Sequence, residues 1–419
     1  MKKVTIIGAG VIGLFSAYYL TKAGIAVQII EAGNGEEGCS HGNAGMIVPS
    51  HIIPLAAPGV ISKSLKWLLD ATSPFYVKPK LDLGLIKWGI AFQKAATKQK
   101  VAAAKPVLRD ISLLSKELYQ ELSKEFEFAF EEKGLLMLCQ KEETLAEEIE
   151  IAHQANEIGI KAEVLDKKGI EKLEPQSQPN AIGAVYFPGD AHCNPGVLMS
   201  ELRMFLKSKH VEFVYESTVS DFQMKDGKIV SLSVQNHGQE REMNVDQVLV
   251  CGGSWSQEIA RKLDLYLPLQ AGKGYSFLKE QSTAQEIQTP SILVEGKVAV
   301  TPFTNGQVRF GGTMEIGGIN DSVNLNRVKG IVNCVNEFYP FAELLMPKKE
   351  EIWYGLRPCS PDGLPYIGQV QKLKNLYMAS GHAMMGLSLG PATGKMITDV
   401  MIGNSPSVSS PLFSPNRFI

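Results

Sequence analysis

The chain has 419 residues, of which 44% are apolar and 21% charged, and this composition is ordinary for a globular protein long enough for two domains. A formal net charge of −2 and the lack of a dense basic run argue against a general nucleic-acid binder. No apolar run is long enough to span a membrane, and the six cysteines form no CxxC pair and no Cys/His cluster with zinc spacing, so we expect reduced thiols and no metal.

The N-terminal stretch is predicted to form a strand, a glycine turn, a helix and a second strand. The β-branched run VTII leads into GAGVIG at 8–13 and then into a stretch with helical spacing. Gly8 permits a tight turn, Gly10 removes a side chain that would block a pyrophosphate, and Gly13 lets the helix approach the strand. The second strand ends at Glu31, eighteen positions beyond Gly13, where a carboxylate accepts hydrogen bonds from ribose hydroxyls. This unit predicts a dinucleotide site, and the motif alone does not separate FAD from NAD.

Little chain precedes this unit, which leaves no room for a signal peptide and favours a cytoplasmic protein. The glycine-rich loop at 32–46 follows the unit. The loop fits a second wall of the cofactor site, with hydrogen bonds from Ser40 and Asn43, and it equally fits a flexible connector.

The amphipathic stretch at 61–71 more often packs against its own protein. Contact of 61–92 with the inner face of a membrane stays an alternative.

The periodicity changes along the middle of the chain. Apolar residues at three- and four-residue spacing predict a helix over 106–125, and a charged helical stretch with a solvated face follows at 141–158. Strands are predicted at 183–187, 211–216, 228–234, 247–251, 273–279, 297–303, 307–313 and 376–380. The Asn-Gly pair at 305–306 predicts a hairpin, and a last helix is expected at 390–402.

Several motifs jointly resemble the FAD-dependent amine oxidoreductases of the D-amino-acid oxidase superfamily, and most closely the bacterial D-amino-acid dehydrogenases. They are the opening fingerprint, S-x-x-NAG at 40–45, KGYS at 273–276, VAVTPFTNGQVRFGGTMEI at 298–316, GLRPCSPDGLP at 355–365 and GH at 381–382. The resemblance implies an α/β fold with an FAD-binding Rossmann-like domain of the glutathione-reductase type. An inserted α+β substrate domain with a mixed, largely antiparallel sheet is implied beside it.

The same resemblance implies the domain bounds and the site. The FAD-binding domain is expected over 1–50, 192–264 and 354–419, and the substrate domain over 51–191 and 265–353. The cofactor-binding residues implied are Gly8, Gly10, Val11, Ile12, Gly13, Glu31, Ala32, Ser40, Asn43, Ala44, Gly45, Met46, Val219, Cys251, Gly252, Gly381, His382, Met385, Gly386 and Leu387.

Two departures from the family pattern shape the expected substrate and cofactor. Met384 stands where glycine-oxidase-like relatives carry an arginine, which disfavours small polar amines and favours a roomier apolar pocket. Cys359 does not fall at the position of the cysteine that tethers flavin in some sarcosine-oxidase relatives, so FAD is expected to be bound non-covalently.

The expected reaction is oxidative deamination of a D-amino acid to the 2-oxo acid and ammonia, with hydride transfer from Cα to flavin N5. The resemblance assigns Arg357 to the substrate carboxylate, which two parallel hydrogen bonds can hold. Tyr275 fits a contact with substrate or packing in a strand, and His51 is the third catalytic candidate beside a structural interpretation. Lys273 fits either a bound water or an ion pair, and His382 is expected to line the flavin turn without titrating.

Three alternatives remain at this stage. FAD-dependent oxidation of a cyclic or secondary amine keeps the cofactor and changes the substrate to D-proline, hydroxyproline, sarcosine or glycine. The second alternative is an NAD-dependent dehydrogenase, which uses a different cofactor. The third is a dinucleotide-binding protein that catalyses no reaction. The electron acceptor, whether O₂, a quinone or a carrier protein, is open as well.

Overall fold

The computed structural model describes residues 3–36, 38–58, 73–77, 82–281 and 285–418. Its helices are α1 (Val11–Lys22), α2 (Leu83–Ala95), α3 (Lys98–Leu122), α4 (Glu142–Glu157), α5 (Lys167–Leu173), α6 (Pro195–Ser208), α7 (Ser256–Lys262), α8 (Leu325–Phe338) and α9 (Gly390–Ile402). Its strands are β1 (Val4–Ile7), β2 (Val27–Ile30), β3 (Met46–Ile47), β4 (Phe75–Val77), β5 (Leu135–Cys139), β6 (Glu163–Leu165), β7 (Gly183–Phe187), β8 (Ala191–His192), β9 (Glu212–Val214), β10 (Ser217–Lys225), β11 (Lys228–Asn236), β12 (Gln239–Asn244), β13 (Gln247–Val250), β14 (Gln270–Glu280), β15 (Ser291–Leu293), β16 (Val298–Pro302), β17 (Gln307–Ile316), β18 (Trp353–Cys359), β19 (Tyr366–Gln369) and β20 (Leu376–Ser380).

A six-stranded sheet with the order β19-β20-β13-β1-β2-β9 carries the opening motif. Its neighbouring strands are parallel except for β19, which runs antiparallel to β20. Every residue of β1 and β2 is buried, as expected of short apolar strands in a parallel sheet covered on both faces. The carboxyl ends of β1, β2 and β13 therefore share one edge, where the chain turns that follow them come together.

Two glycines let α9 pack closely against α1. A Cβ on Gly394 would lie 2.6 Å from the carbonyl carbon of Phe15, and one on Gly390 would lie 2.7 Å from the ring of the same residue. The missing side chains at these two positions therefore allow the C-terminal helix to pack against the opening unit.

A second, mixed sheet has the order β18-β14-β17-β16-β15-β5-β7-β6, with β4 paired parallel to β17. The pair β5 and β15 is also parallel, and the other neighbours are antiparallel, which confirms the predicted mixed and largely antiparallel sheet. The pairing of β14 with β17 slips between Lys273 and Tyr275, so a bulge lies beside Gly274. Two smaller antiparallel sheets pair β10, β11 and β12, and β3 with β8.

Most predicted elements are confirmed, and the helix expected over 106–125 differs at both ends. That helix is α3, which begins at Lys98 after Thr97, whose hydroxyl accepts a hydrogen bond from the Lys100 N–H. The helix contains Pro106 in its interior and ends at Leu122. The predicted start came too late because apolar spacing alone does not reveal the cap at Thr97. The Asn-Gly pair joins the antiparallel strands β16 and β17, as predicted.

The amphipathic stretch at 61–71 lies outside the described residues. Within the described ranges, no helix combines the length and apolar character that crossing a bilayer requires. The same residues contain no cluster of three or more metal-ligating side chains, and all six cysteines are free thiols.

Candidate active site

The turn between β1 and α1 has the close contacts that its glycines predict. Gly8 has φ of +108°, and a Cβ there would lie 2.6 Å from the carbonyl oxygen of Cys251. A Cβ on Gly13 would overlap the carbonyl oxygen of Gly8. A Cβ on Gly10 would meet no atom closer than 3.7 Å, so the start of α1 stays open toward the space in front of it.

Glu31 and Ser40 border the same opening. The Glu31 carboxylate accepts hydrogen bonds from the N–H of Ala9 at 2.6 Å and of Gly33 at 2.9 Å. The Ser40 hydroxyl accepts one from the N–H of Val11 at 3.2 Å. The acid is therefore anchored at the turn, and the loop at 40–45 contacts the start of α1.

The second sheet holds the loop at 40–45 in place. Arg309 on β17 donates to the carbonyl oxygen of Asn43 at 2.6 Å, and Ser276 on β14 donates to that of Gly42 at 2.8 Å. Burial lowers the pKa of Arg309 to about 10. These bonds favour the interpretation of the loop as a wall over that of a flexible connector.

Residues of β10 and of the turn after β13 also border the cavity. Lys262 donates to the carbonyl oxygen of Val219 at 2.9 Å, and Cys251 and Gly252 follow β13. A lysine ammonium that lines the cavity therefore lies at the backbone of Val219.

The C-terminal glycine turn lies between β20 and α9. Gly381 has φ of +80°, and Nε2 of His382 lies 2.9 Å from the hydroxyl oxygen of Thr393. Burial lowers the pKa of His382 to about 3, so the imidazole is neutral at physiological pH, in line with its expected role. The Ser388 hydroxyl accepts from the N–H of Val48 at 2.9 Å, which joins this turn to the chain after the glycine-rich loop.

These turns surround one cavity of about 1710 Å³, larger than the roughly 300–1,000 Å³ of most small-molecule pockets. The predicted residues that line it are Gly8, Gly10, Val11, Ile12, Glu31, Ala32, Ser40, Asn43, Ala44, Met46, His51, Val219, Cys251, Gly252, Tyr275, Arg357, His382, Met385, Gly386 and Leu387. Gly13, Gly45 and Gly381 do not line it. They lie behind the wall, where a Cβ would overlap Gly8, Cys193 and Tyr366 respectively.

Arg357 reaches the cavity from β18, which pairs with β14 in the second sheet although 354–419 was expected in the cofactor domain. Its guanidinium lies against Gly274, where a Cβ would overlap its terminal atoms, and Nη1 donates to the carbonyl oxygen of Thr313 at 2.6 Å. Burial lowers the pKa of Arg357. Thr313 has φ of +66°, a conformation that β-branched residues rarely adopt.

Tyr275 lies on β14 with 1% of its surface exposed. Its hydroxyl accepts from the N–H of Asn324 at 3.1 Å and donates to the Glu315 carboxylate at 3.4 Å. Burial raises its pKa to about 12, so the phenol stays neutral. Lys273, two residues earlier, does not line the cavity; its ammonium donates to Asn320 at 2.5 Å and to the Ser322 carbonyl at 2.7 Å.

His51 lies next to Ser50, whose hydroxyl oxygen is 3.3 Å from Nδ1 of the imidazole. Burial lowers the pKa of His51 to about 4, with a smaller contribution from the nearby Lys297 ammonium. The imidazole is therefore neutral in the cavity wall.

The sequence did not point to the aromatic and apolar part of the wall. Trp88 and Phe92 on α2 line the cavity together with Met314 and Trp353. The indole N–H of Trp88 donates to the Cys359 carbonyl oxygen at 2.9 Å. The composition around Trp88 is equally typical of a core helix, so it gave no distinct signal of a cavity wall. Met384 lines the cavity as well.

The residues present fit a dinucleotide with a flat ring system. The start of α1 is open at Gly10, an anchored carboxylate stands at the second strand, and much of the remaining lining is glycine backbone and apolar side chains. The cavity is also large enough for a second, small molecule beside the basic side chain of Arg357.

Comparison with known proteins agrees with this geometry. A family model described as DAO, FAD dependent oxidoreductase, matches residues 3–400. A D-amino acid dehydrogenase of Vibrio atlanticus (strain LGP32) is 30% identical over 431 residues, with 100% of both chains covered. A crystal structure of glycine oxidase from Geobacillus kaustophilus has a TM-score of 0.79 at 22% identity over 100% of both chains. A crystal structure of L-proline dehydrogenase from P. horikoshii has a TM-score of 0.75 at 17% identity, with 100% of this chain and 97% of that chain covered.

Proposed function

The chain belongs to the DAO family of FAD-dependent oxidoreductases, and we propose that it oxidises the Cα–N bond of a D-amino acid. The imino acid formed reacts with water to give a 2-oxo acid and ammonia. Oxidation of an amino compound agrees with the similarity to the Vibrio atlanticus D-amino acid dehydrogenase over the full length of both chains. The D configuration of the substrate is proposed from the name of that relative.

The observation that carries the proposal is the environment of Arg357. Its guanidinium is half-buried in the cavity wall, and among the described residues no carboxylate lies within ion-pair distance of it. A cation that is partly removed from water without a counter-ion is costly, and a ligand carboxylate supplies the missing charge. The planar fork can hold that carboxylate through two hydrogen bonds while Nη1 also contacts the Thr313 carbonyl.

The other residues orient and enclose the substrate. The apolar side chains of Trp88, Phe92 and Met314 favour an apolar side chain on the amino acid and exclude water from the reacting carbon. Tyr275 serves as a positioning residue, since its hydroxyl is engaged by Glu315 and Asn324. Fixing a near-attack geometry is the largest contribution that a protein makes in such reactions, about 7–11 kcal/mol in the best cases.

FAD, when bound, supplies the two-electron acceptor for the hydride leaving Cα. We assign its pyrophosphate to the turn at Gly10, its ribose to Glu31 and its ring to the side of the cavity near His382. Non-covalent binding is supported by Cys359, which does not line the cavity and whose pKa burial raises to about 12. The six-stranded sheet is proposed as the FAD-binding domain and the mixed sheet as the substrate domain.

The test is anaerobic reduction of the bound flavin by a panel of amino acids. The panel holds D- and L-amino acids with small and apolar side chains, together with D-proline, hydroxyproline, sarcosine and glycine. Bleaching by D-amino acids and not by their L-enantiomers supports the proposal, and bleaching by secondary amines alone contradicts it. Admission of air then shows whether O₂ reoxidises the flavin.

A substitution tests the role of Arg357. Arg357→Lys keeps the charge and loses the fork, so kcat/KM falls by about 10- to 150-fold, the equivalent of one charge-assisted hydrogen bond of about 1.5–3 kcal/mol. The matched control is Arg417→Lys, because Arg417 forks onto Asp362 outside the cavity lining. Full kcat/KM in the Arg357 variant would contradict the assignment.

A further inference from the structure

A chain of three polar side chains leads from the cavity wall into the protein interior. His51 lines the cavity, its Nδ1 lies 3.3 Å from the Ser50 hydroxyl oxygen, and that hydroxyl donates to Oδ2 of Asp190 at 2.5 Å. The Ser50 N–H donates to Oδ1 of the same carboxylate at 3.1 Å. The residues come from segments 140 positions apart. The described residues show no partner for Nε2 of His51, the ring nitrogen opposite the chain.

The Asp190 carboxylate lies in an unusual environment. It is 1% exposed, and no cation in the described part of the chain lies within ion-pair distance of it. The Lys116 ammonium, which pairs with Glu132 at 2.9 Å, acts on the Asp190 carboxyl from beyond ion-pair distance, and the phenol of Tyr186 is a further titratable group that interacts with it. Desolvation raises the pKa of Asp190 to about 7, partly offset by the two bonds from Ser50. This group can thus gain or lose a proton near neutral pH.

The reaction creates a need for such a group. An amino acid enters at neutral pH as an ammonium, and the nitrogen lone pair must be free before a hydride can leave Cα. A proton must therefore move from the substrate to an acceptor in each turnover. The His51 imidazole is half-buried, and desolvation together with the charge of Lys297 lowers its pKa to about 4, so it does not hold the extra charge itself.

We propose that His51, Ser50 and Asp190 form a proton relay that deprotonates the substrate ammonium and places the proton on Asp190. This inference rests on the proposed function. The ammonium proton passes to Nε2 of His51, the Nδ1 proton passes to the Ser50 hydroxyl, and the Ser50 proton passes to Oδ2 of Asp190. One proton leaves the substrate and one arrives on the carboxylate, while the imidazole changes tautomer and stays neutral. After the product leaves, the proton passes back along the same path to water that enters the cavity, which resets the chain.

In this arrangement His51 is the group that touches substrate, and Ser50 and Asp190 act through it. A purely structural role is the competing explanation, in which Asp190 and Ser50 only hold the chain after the glycine-rich loop. The two explanations differ in whether the protonation state of Asp190 changes when an amino acid binds.

The experiment uses the holoenzyme and 2-aminoisobutyrate, an amino acid without a hydrogen on Cα that binds and cannot be oxidised. Binding is followed by the change in flavin absorbance, and carboxyl protonation by infrared difference spectroscopy at a pH of about 8, above the pKa of Asp190. The relay predicts a protonated-carboxyl band on binding to the wild type. The band is absent in Asp190→Asn and in Ser50→Ala. It is retained in Ser112→Ala, which removes from α3 a buried hydroxyl that has no hydrogen-bond partner among the described residues.

Kinetics supply a second readout that a structural role does not reproduce. At a pH of about 7, Asp190→Asn and Ser50→Ala lower kcat/KM by about 10²-fold, a usual size for proton-transfer catalysis. The loss shrinks as pH approaches the pKa of the substrate amine, because the amine then arrives neutral.

The outcomes separate the two hypotheses. Binding without the infrared band, or a kinetic loss that is the same at every pH, overturns the relay and leaves the proposed function in place. Absence of any absorbance change with 2-aminoisobutyrate and with the D-amino acid panel overturns the proposed function and the relay together.

Discussion

Gly274→Ala displaces Arg357 without altering the chemistry of the arginine. A Cβ at this position would overlap the terminal atoms of the guanidinium, and ordinary contact begins at 3.4 Å, so the group must move by about 1 Å. Such a shift breaks the 2.6 Å bond from Nη1 to the Thr313 carbonyl and tilts the fork away from a bound carboxylate. Because a misplacement of about 1 Å can cost about 10²-fold in rate, we expect kcat/KM to fall by that factor.

The assay is steady-state oxidation of the best D-amino acid, with flavin content and thermal unfolding measured on the same sample. Flavin content is expected to stay unchanged, since Gly274 does not line the cavity and the atoms displaced belong to a flexible side chain. Gly196→Ala is the control, because its Cβ meets only Asn194 at an ordinary 3.5 Å. A Gly274→Ala enzyme with wild-type kcat/KM and full flavin would refute the placement of the guanidinium over this glycine.

Three further substitutions test separate parts of the structure. Gly8→Ala puts a Cβ against a backbone carbonyl at φ of +108°, so FAD affinity should fall about tenfold or more, measured by flavin retained on purification. Trp88→Phe removes the indole donor to the Cys359 carbonyl, so the free energy of chemical unfolding should fall by about 1–3 kcal/mol. The control is Trp255→Phe at an exposed position, where the fall should be under about 0.5 kcal/mol. The pKa of Glu131 is lowered to about 2, chiefly by His192, so its stabilisation is present above the ordinary value of 4.5 and is lost as pH falls toward 2. The difference in unfolding free energy between wild type and Glu131→Gln should therefore shrink over that range, and a constant difference would contradict this origin.

The opening unit illustrates how far local pattern reaches. Strand, turn, helix and second strand occupy the first 31 residues, and the close approach of Gly13 to Gly8 lies wholly within this unit. At Gly8 the contact with Cys251 comes from the distant chain, whereas the tight turn was predicted from the local motif. The same holds for α9 and for the Asn-Gly hairpin, whose bounds are set by short-range signals.

Local pattern was less informative where an element depends on packing. α3 extends N-terminal to Pro106 because Thr97 caps it and the helix packs on the protein, and neither cause is visible in periodicity. α2 was not predicted as an element, since a helix that lines a cavity and a helix that fills a core have the same composition.

The sequence by itself predicted a dinucleotide site at the start of the first helix, and its motifs in their order indicated the family. Tertiary structure alone decided that Arg357 lies over Gly274 beside the carbonyl of Thr313, because strand pairing and a bulge bring these residues together. It also decided that Asp190 meets Ser50 behind the cavity. Burial and missing counter-charges, which give these groups their chemistry, are properties of the folded chain and leave no periodic trace in the sequence.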